Sequence, residues 1–498
     1  MKKVFNKKSV IVIALLAALG TSVLFTSCST EKDTSSKSTG TSVNSSQETA
    51  TADSTGTPST ENIIEEATKE ISTESTSSVS VKISESDISV KEKIENSNDG
   101  EHVVTADGES KSYSNISVTK TGEADGDEAD FYGENSALFA TNGGTLDLKN
   151  VVVKTDGTHA NAVFSYGEGT TVNVSDSYIE TDGNCSGGIM TTGGGTMNAN
   201  NLTIDTSGNS SAAIRSDRGG GTVNVTGGYY TTSGVGSPVI YSTADITVND
   251  AVLTANTSQG IVVEGKNSVT LNNVELTADN NKKNGSHSDY YQAVMIYQSM
   301  SGDADEGLSS FDMNGGTLVN KNGDIFFVTN TATTINLSEA DITNEADGIF
   351  LRAATAGWGS EGSNGGKVTL NASKQTINGD IVVDSVSALN LYLKDKSVFN
   401  GAVNTDGQDG DVYIEIESGS TWNLTGDSYI TGLTCDTSSV KLNGHKLYIN
   451  GELYSEGTAS SGSAVDTTAS SSGNSQRSSH SGNGGSEHGT PPKKPDEN

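Results

Sequence analysis

From Leu138 onward the chain repeats one phrase: a short apolar run, a Gly-rich turn into a segment such as Thr145-Leu146-Asp147-Leu148, then a second apolar run closed by Gly. The phrases begin at Leu138, Val163, Ile189, Ile214, Ile240, Ile261, Val294, Ile325, Ile349, Ile381 and Val412, between 21 and 33 residues apart. A repeat of this length is the signature of a solenoid. Each phrase holds three alternating segments and none of helical period, so neighbouring phrases bury their apolar rows only by stacking on one another.

The second segment is the most regular: Leu146-Asp147-Leu148, Val172-Asn173-Val174, Met197-Asn198-Ala199, Val223-Asn224-Val225, and so on to Trp422-Asn423-Leu424. Its centre is Asn, Asp or Thr, so that face is wet and its neighbours are buried. Two places beyond lies a column of Asn150, Asp176, Asn201, Gly227, Asp250 and Asn273, residue types that tolerate left-handed backbone angles. The expected fold is therefore all-β, a parallel β-helix of about three strands per coil and about twelve coils over residues 101–455. Its composition fits: 32% of residues are apolar and 57 are Gly, too little for one large globule but enough for thin coils with many corners.

The ends read differently. Lys2, Lys3, Lys7 and Lys8 precede an apolar run from Val10 to Leu19, the pattern of an export leader over residues 1–28. Phe25-Thr26-Ser27-Cys28 resembles the lipobox of bacterial lipoproteins, with Phe25 where Leu is usual; the resemblance implies lipidation of Cys28, and the alternative is an ordinary secretory signal cut nearby. Residues 29–100 are rich in Ser, Thr, Glu and Lys and are expected to form a disordered tether, and the Ser/Gly/Pro-rich tail from 456 to be linker-like. Only Pro238 of the five prolines falls in the repeats, as hydrogen-bonded ladders require. Loss of the leader's four Lys takes the net charge from -33 to -37, which disfavours nucleic acid and anionic lipid as partners. Cys185 and Cys435 are nine rungs apart, ~43 Å at ~4.8 Å per rung, so no disulfide joins them.

Three strands per coil and an Asn-rich turn column resemble the right-handed parallel β-helix of the pectate-lyase-like superfamily. Gly-Gly-Gly-Thr-Val-Asn-Val phrases behind a lipobox and a Ser/Thr tether are similar to adhesin-like β-helix lipoproteins. The first resemblance implies a fold and leaves the activity open, because pectate lyases and polygalacturonases share it. Asn404-Thr405-Asp406-Gly407 matches the first polygalacturonase motif, but the Asp-Asp pair, Gly-His-Gly and Arg-Ile-Lys that follow in that family are missing. A lone Asp406 lacks the second carboxylate that inverting hydrolysis needs. Lyase chemistry has only Arg215, Arg218 and Arg352 in the repeats, with Asp384 the expected neighbour of Arg352. Gly260 to Lys266 has the spacing of a phosphate loop, yet its centre is a strand and Asn267 replaces the Ser/Thr. No cofactor is implied beyond calcium, for which the acidic loops Asp303, Asp305, Glu306 and Asp406, Asp409, Asp411 are candidates.

The first segment carries the binding hypothesis. If Arg215, Asp324, Asp380 and Asp411 stay out of the core, the outward column is Phe139, Phe164, Met190, Arg215, Tyr241, Val262, Met295, Phe326, Phe350, Val382 and Tyr413. Such a stripe, flanked by the long insertions at 279–292, 298–307, 355–366 and 404–411, forms the floor of a groove for a polysaccharide or another cell-surface protein, unless the loops lie across it. The expected ligand-binding set is Tyr241, Tyr297, Phe326, Phe350, Arg352, Trp358 and Tyr413. The expected function is that of an exported, surface-exposed, lipid-anchored adhesin or glycan-binding protein without catalysis, touching the membrane through its anchor alone. The alternative is a polysaccharide lyase or hydrolase.

Overall fold

The computed structural model describes residues 81–126, 128–407 and 410–468. Cys28 with the leader, the expected tether up to residue 80, Asp127, Asp409 and the tail beyond Thr468 lie outside the described residues.

The chain is a parallel β-helix. An eleven-stranded parallel sheet collects the first strand of successive coils, from Val104–Asp107 and Leu138–Thr141 to Ile381–Val383. A twenty-one-stranded sheet carries the second strands and, as far as Asp341–Asn344, the third strands, while Thr376–Asn378, Val398–Asn400, Thr421–Asn423 and Val440–Lys441 form a separate four-stranded sheet. The two rows merge because Thr171–Thr181, Gly195–Thr206 and Gly221–Thr232 run unbroken through the corner between them. Equivalent residues stack in register: Asp147 faces Asn173, Asn173 faces Asn198, and Asn198 faces Asn224. Pairing reaches from Glu92–Asn96 to Ser460–Ser461, on either side of residues 101–455. At the C-terminal end two antiparallel strands, Glu452–Leu453 and Ser460–Ser461, replace the parallel pattern.

The corner column behaves as its residue types require. Asn150, Asp176, Asn201, Asp250 and Asn273 have φ of 51°, 49°, 51°, 53° and 53°, a region where a Cβ normally clashes with the following carbonyl. Asn201 Nδ2 donates to Asp176 Oδ1 at 2.9 Å and Asn273 Nδ2 to Asp250 Oδ1 at 2.7 Å, so the column is also a hydrogen-bond file between coils. At another corner Gly208 stacks on Gly183 so closely that a Cβ would lie 1.9 Å from the Gly183 carbonyl oxygen. Beside it Ser211 Oγ donates to that same oxygen at 3.0 Å, and the Ser211 N–H donates to Ser237 Oγ at 2.9 Å.

One apolar core runs the length of the helix. Phe311, Phe326 and Phe350 pack edge-on or tilted within it at centroid separations of 5.5 Å, and Phe399 stacks on Trp422 at 5.6 Å. This corrects the expected parity: Phe326 and Phe350 point inward, 0% and 1% exposed. Register settles it, since Phe326 faces Val294 and Leu351, while Phe327 and Arg352 hold the outer positions. The expectation kept Asp324 in water, but Asp324 is buried against the Nε of Arg352 at 2.7 Å, so its charge no longer forbids that side of the strand. Tyr413 is also displaced: Asp411–Ile416 pairs with Ala388–Lys394 in the larger sheet, and Val403 takes the first-strand position by bridging Ile381.

Candidate functional site

The outer face of the eleven-stranded sheet carries the apolar column the sequence suggested, but the column is covered. The helix Glu128–Tyr132 and Gly133 lie over Phe139, Phe164 and Met190; a Cβ on Gly133 would sit 2.9 Å from both Phe rings. Further along, Tyr241, Val262, Met295 and Phe327 pack with Tyr297, Ala354 and Trp358 in a second cluster. Trp358 stacks on His287 at 5.2 Å, and Tyr290 sits over Phe327 at 5.3 Å and over the Arg352 guanidinium at 4.0 Å. Two of the insertions expected to be walls, 279–292 and 355–366, fold inward because Tyr290, His287 and Trp358 on them complete the burial of the stripe. Of the expected ligand-binding set, Tyr241, Tyr297 and Trp358 come together but are buried, Arg352 is half-buried at the edge, Phe326 and Phe350 are interior, and Tyr413 lies on a different sheet. Sugar stacking needs an open ring face, and this arrangement offers none on the floor.

Between the two covered clusters lies a buried ionic network with little local signal in the sequence. Arg215 Nη2 meets Asp130 Oδ2 at 2.8 Å and Asp217 Oδ2 at 3.1 Å, and His159 Nδ1 is 3.1 Å from Asp130 Oδ1. Arg218 pairs with Asp303 at 2.7 Å and lies 3.8 Å over the ring of Phe131. Burial pushes the Asp217 carboxyl up to about 7 despite Arg215, helped by the nearby charges of Asp303 and Asp130. Burial also raises Asp130, but Arg215 and His159 outweigh it and hold that carboxyl below its usual value. At the end of the strand Ile261–Glu264, buried Glu264 accepts hydrogen bonds from Tyr241, Ser299 and, at 2.9 Å, Tyr297; desolvation still raises its pKa. Glu264 carried a local signal, an acid ending the apolar strand Ile261–Glu264; Asp130 and His159 carried none, because Arg215 lies 85 residues from Asp130 and His159 lies 29 residues from Asp130.

Of the acids expected to offer calcium ligands, two are paired with basic side chains. Asp303 is taken by Arg218, and Asp305 by Lys266 at 2.7 Å, while Glu306, Asp406 and Asp411 are exposed. Arg352 pairs with Asp324 instead of Asp384, whose carboxylate accepts from Thr355 N at 2.7 Å. Among the described residues one set of three such groups converges, Asp130, His159 and Cys185, but the Cys185 sulfur is in a disulfide and a cation there would lie against the Arg215 guanidinium. Cys435 is a free, buried thiol.

The open concavity lies elsewhere, on the wet face of the larger sheet. A groove of about 660 Å³ is lined by Ser112, Asp147, Asn173, Asn198 and Asn224 in one file and by Lys149, Ser175, Asn200 and Thr226 in the next. Its first file is a continuous ladder: Asn173 Nδ2 donates to Asp147 Oδ1 at 2.8 Å, Asn198 to Asn173 at 2.9 Å, and Asn224 to Asn198 at 3.0 Å. Each internal amide spends one N–H and one lone pair on its neighbours and keeps one of each for a ligand. The wet centres of Leu-Asp-Leu and Val-Asn-Val announced this row; that it forms a groove was not legible. Comparison with protein-family models, curated proteins and solved structures found no match.

Proposed function

We propose that the protein is a non-catalytic rod displayed at the cell surface, an adhesin or glycan-binding β-helix, exported by its leader and anchored through Cys28. The reading places it with the pectate-lyase-like superfamily in architecture and with adhesin-like β-helix lipoproteins in style. It moves the contact surface from the covered aromatic stripe to the carboxamide groove. The carrying observation is the chemistry of that groove: repeated donors and acceptors at one-rung spacing, with Asp147 its single carboxylate. A periodic row of amides suits the hydroxyls of a polymer, whereas glycoside hydrolysis asks for two opposed carboxyl groups.

The test is a glycan array on the full chain, followed by the variant Asn200→Arg, which fills the groove without breaking a ladder bond. Binding should weaken at least tenfold, about 1.4 kcal/mol. Binding that ignores Asn200→Arg removes the groove from the reading. New reducing ends or ultraviolet-absorbing unsaturated sugars would install the enzymatic alternative in its place.

A further inference from the structure

The carboxamide groove has a repeat, a width and a charge, and together they select among polymers. It spans five rungs, from Ser112 and Ser114 to Asn224 and Thr226, and each rung turns two polar side chains outward. The two files stand two residues of strand apart, ~6.8 Å, and successive rungs ~4.8 Å apart. None of the ten side chains in these files is buried, in contrast to the stripe over the first-strand sheet. Eight of the ten are neutral amides or hydroxyls; the exceptions, Asp147 and Lys149, share one rung, and Lys149 faces Asp176 at 3.6 Å. Beyond Asn224 its file passes to Thr247 and Thr270, so the run of carboxamides ends where the groove does.

We propose that the groove takes a neutral, linear polysaccharide of pyranose rings linked equatorially at both ends, laid along the helix axis with one sugar per rung over five rungs. The inference rests on the binding reading above and narrows it to one class of ligand. Step length comes first. A ladder at ~4.8 Å rewards a ligand whose donors and acceptors recur at that interval. A ring bridged across its equatorial positions advances the chain by nearly one such step and keeps it straight, whereas an axial linkage coils the chain away from a straight file after a few sugars. An extended peptide advances ~3.4 Å per residue and falls out of step with the rungs. Hydrogen bonding agrees. The hydroxyls of such a ribbon lie along its two edges, where each edge meets one file. A hydroxyl both donates and accepts, and so do Asn173 and Asn198 with the N–H and lone pair that the ladder leaves over. Charge agrees as well. Lys149 is the one basic side chain lining the groove and the chain carries a net charge of -33, so a uronate, sulfated or phosphorylated polymer would meet repulsion with almost nothing to offset it.

The experiment is isothermal titration calorimetry of the full chain with cello-, manno- and chito-oligosaccharides of two to seven sugars. Maltoheptaose serves as the neutral but axially linked comparison, and a β-1,4-mannuronate heptasaccharide as the equatorially linked but acidic one. In at least one of the three series affinity should rise about threefold with each sugar up to five and change by less than about twofold beyond. Both comparison sugars should bind at least about tenfold more weakly than the best heptasaccharide. Thr226→Arg, which closes the last rung and touches no ladder bond, should move the plateau from five sugars to four. A groove ligand, recognised by its loss in Asn200→Arg, that is acidic or axially linked would overturn this inference and leave the groove reading standing, and so would an affinity indifferent to chain length. Silence of all three series would overturn it too; if the glycan array is also insensitive to Asn200→Arg, the reading beneath it falls as well.

Discussion

Arg215 Nη2 lies 2.8 Å from Asp130 Oδ2, two side chains 85 residues apart and both at most 5% exposed. This contact fastens the helix Glu128–Tyr132 onto the outer face of the first-strand sheet, and with it the cover over Phe139, Phe164 and Met190. Arg215→Ala leaves Asp130 and Asp217 facing each other in a dry site. We expect a loss of about 3–5 kcal/mol, read as a lower urea midpoint. A midpoint unchanged by the variant would mean the network is not formed in solution.

Asp217 gives the pH dependence a definite sign. Its folded pKa, about 7, exceeds the ordinary 3.8, so the folded state holds this proton more tightly than the unfolded chain. Its contribution is therefore fully favourable below about pH 4 and is lost as pH rises toward 7. Glu264, raised by burial, acts in the same direction, while the lowered carboxyl of Asp130 favours folding above its ordinary pKa and loses that contribution as pH falls. Asp217→Asn removes the first term. Between pH 4 and 7 the variant should gain stability relative to the parent, on the order of a few kcal/mol across the window. Parallel stability curves for the two proteins would contradict the buried position of this carboxyl.

Phe326 distinguishes interior from surface. It is fully buried between Phe311 and Phe350, so Phe326→Ala should cost about 3–5 kcal/mol in denaturation. An outward aromatic would instead cost little and affect only binding. Circular dichroism during urea titration separates the two outcomes.

Asn201 tests the corner. With φ of 51° and a 2.9 Å bond to Asp176, it contributes both a tolerated backbone angle and a side-chain contact. Asn201→Gly keeps the angle and should cost under about 1 kcal/mol, whereas Asn201→Val should cost about 2 kcal/mol or more because its branched side chain resists this region. Equal costs would show that the hydrogen bond, rather than the angle, decides the position.

How far the sequence reached differs between these places. The positive-φ column from Asn150 to Asn273 and the wet centres Asp147, Asn173, Asn198 and Asn224 follow from residue type at a fixed period, and the structure stacks them in register. The first-strand column was right through Met295; it slipped one residue at Phe326, where Phe327 holds the outer place, and two at Phe350, where Arg352 holds it, because Asp324 is buried by pairing with Arg352.

The order of residues by itself determined that the chain is a stack of β-coils, because apolar alternation and turn chemistry are local and repeat with each coil. Tertiary structure alone decided which faces are open. Covering Tyr241 and Phe327 with Trp358 and Tyr290, or pairing Arg215 with Asp130, depends on where loops land after the coils have formed. Contacts between residues tens of positions apart leave no period in the sequence, so the closed aromatic stripe and the open amide groove became distinguishable only in three dimensions.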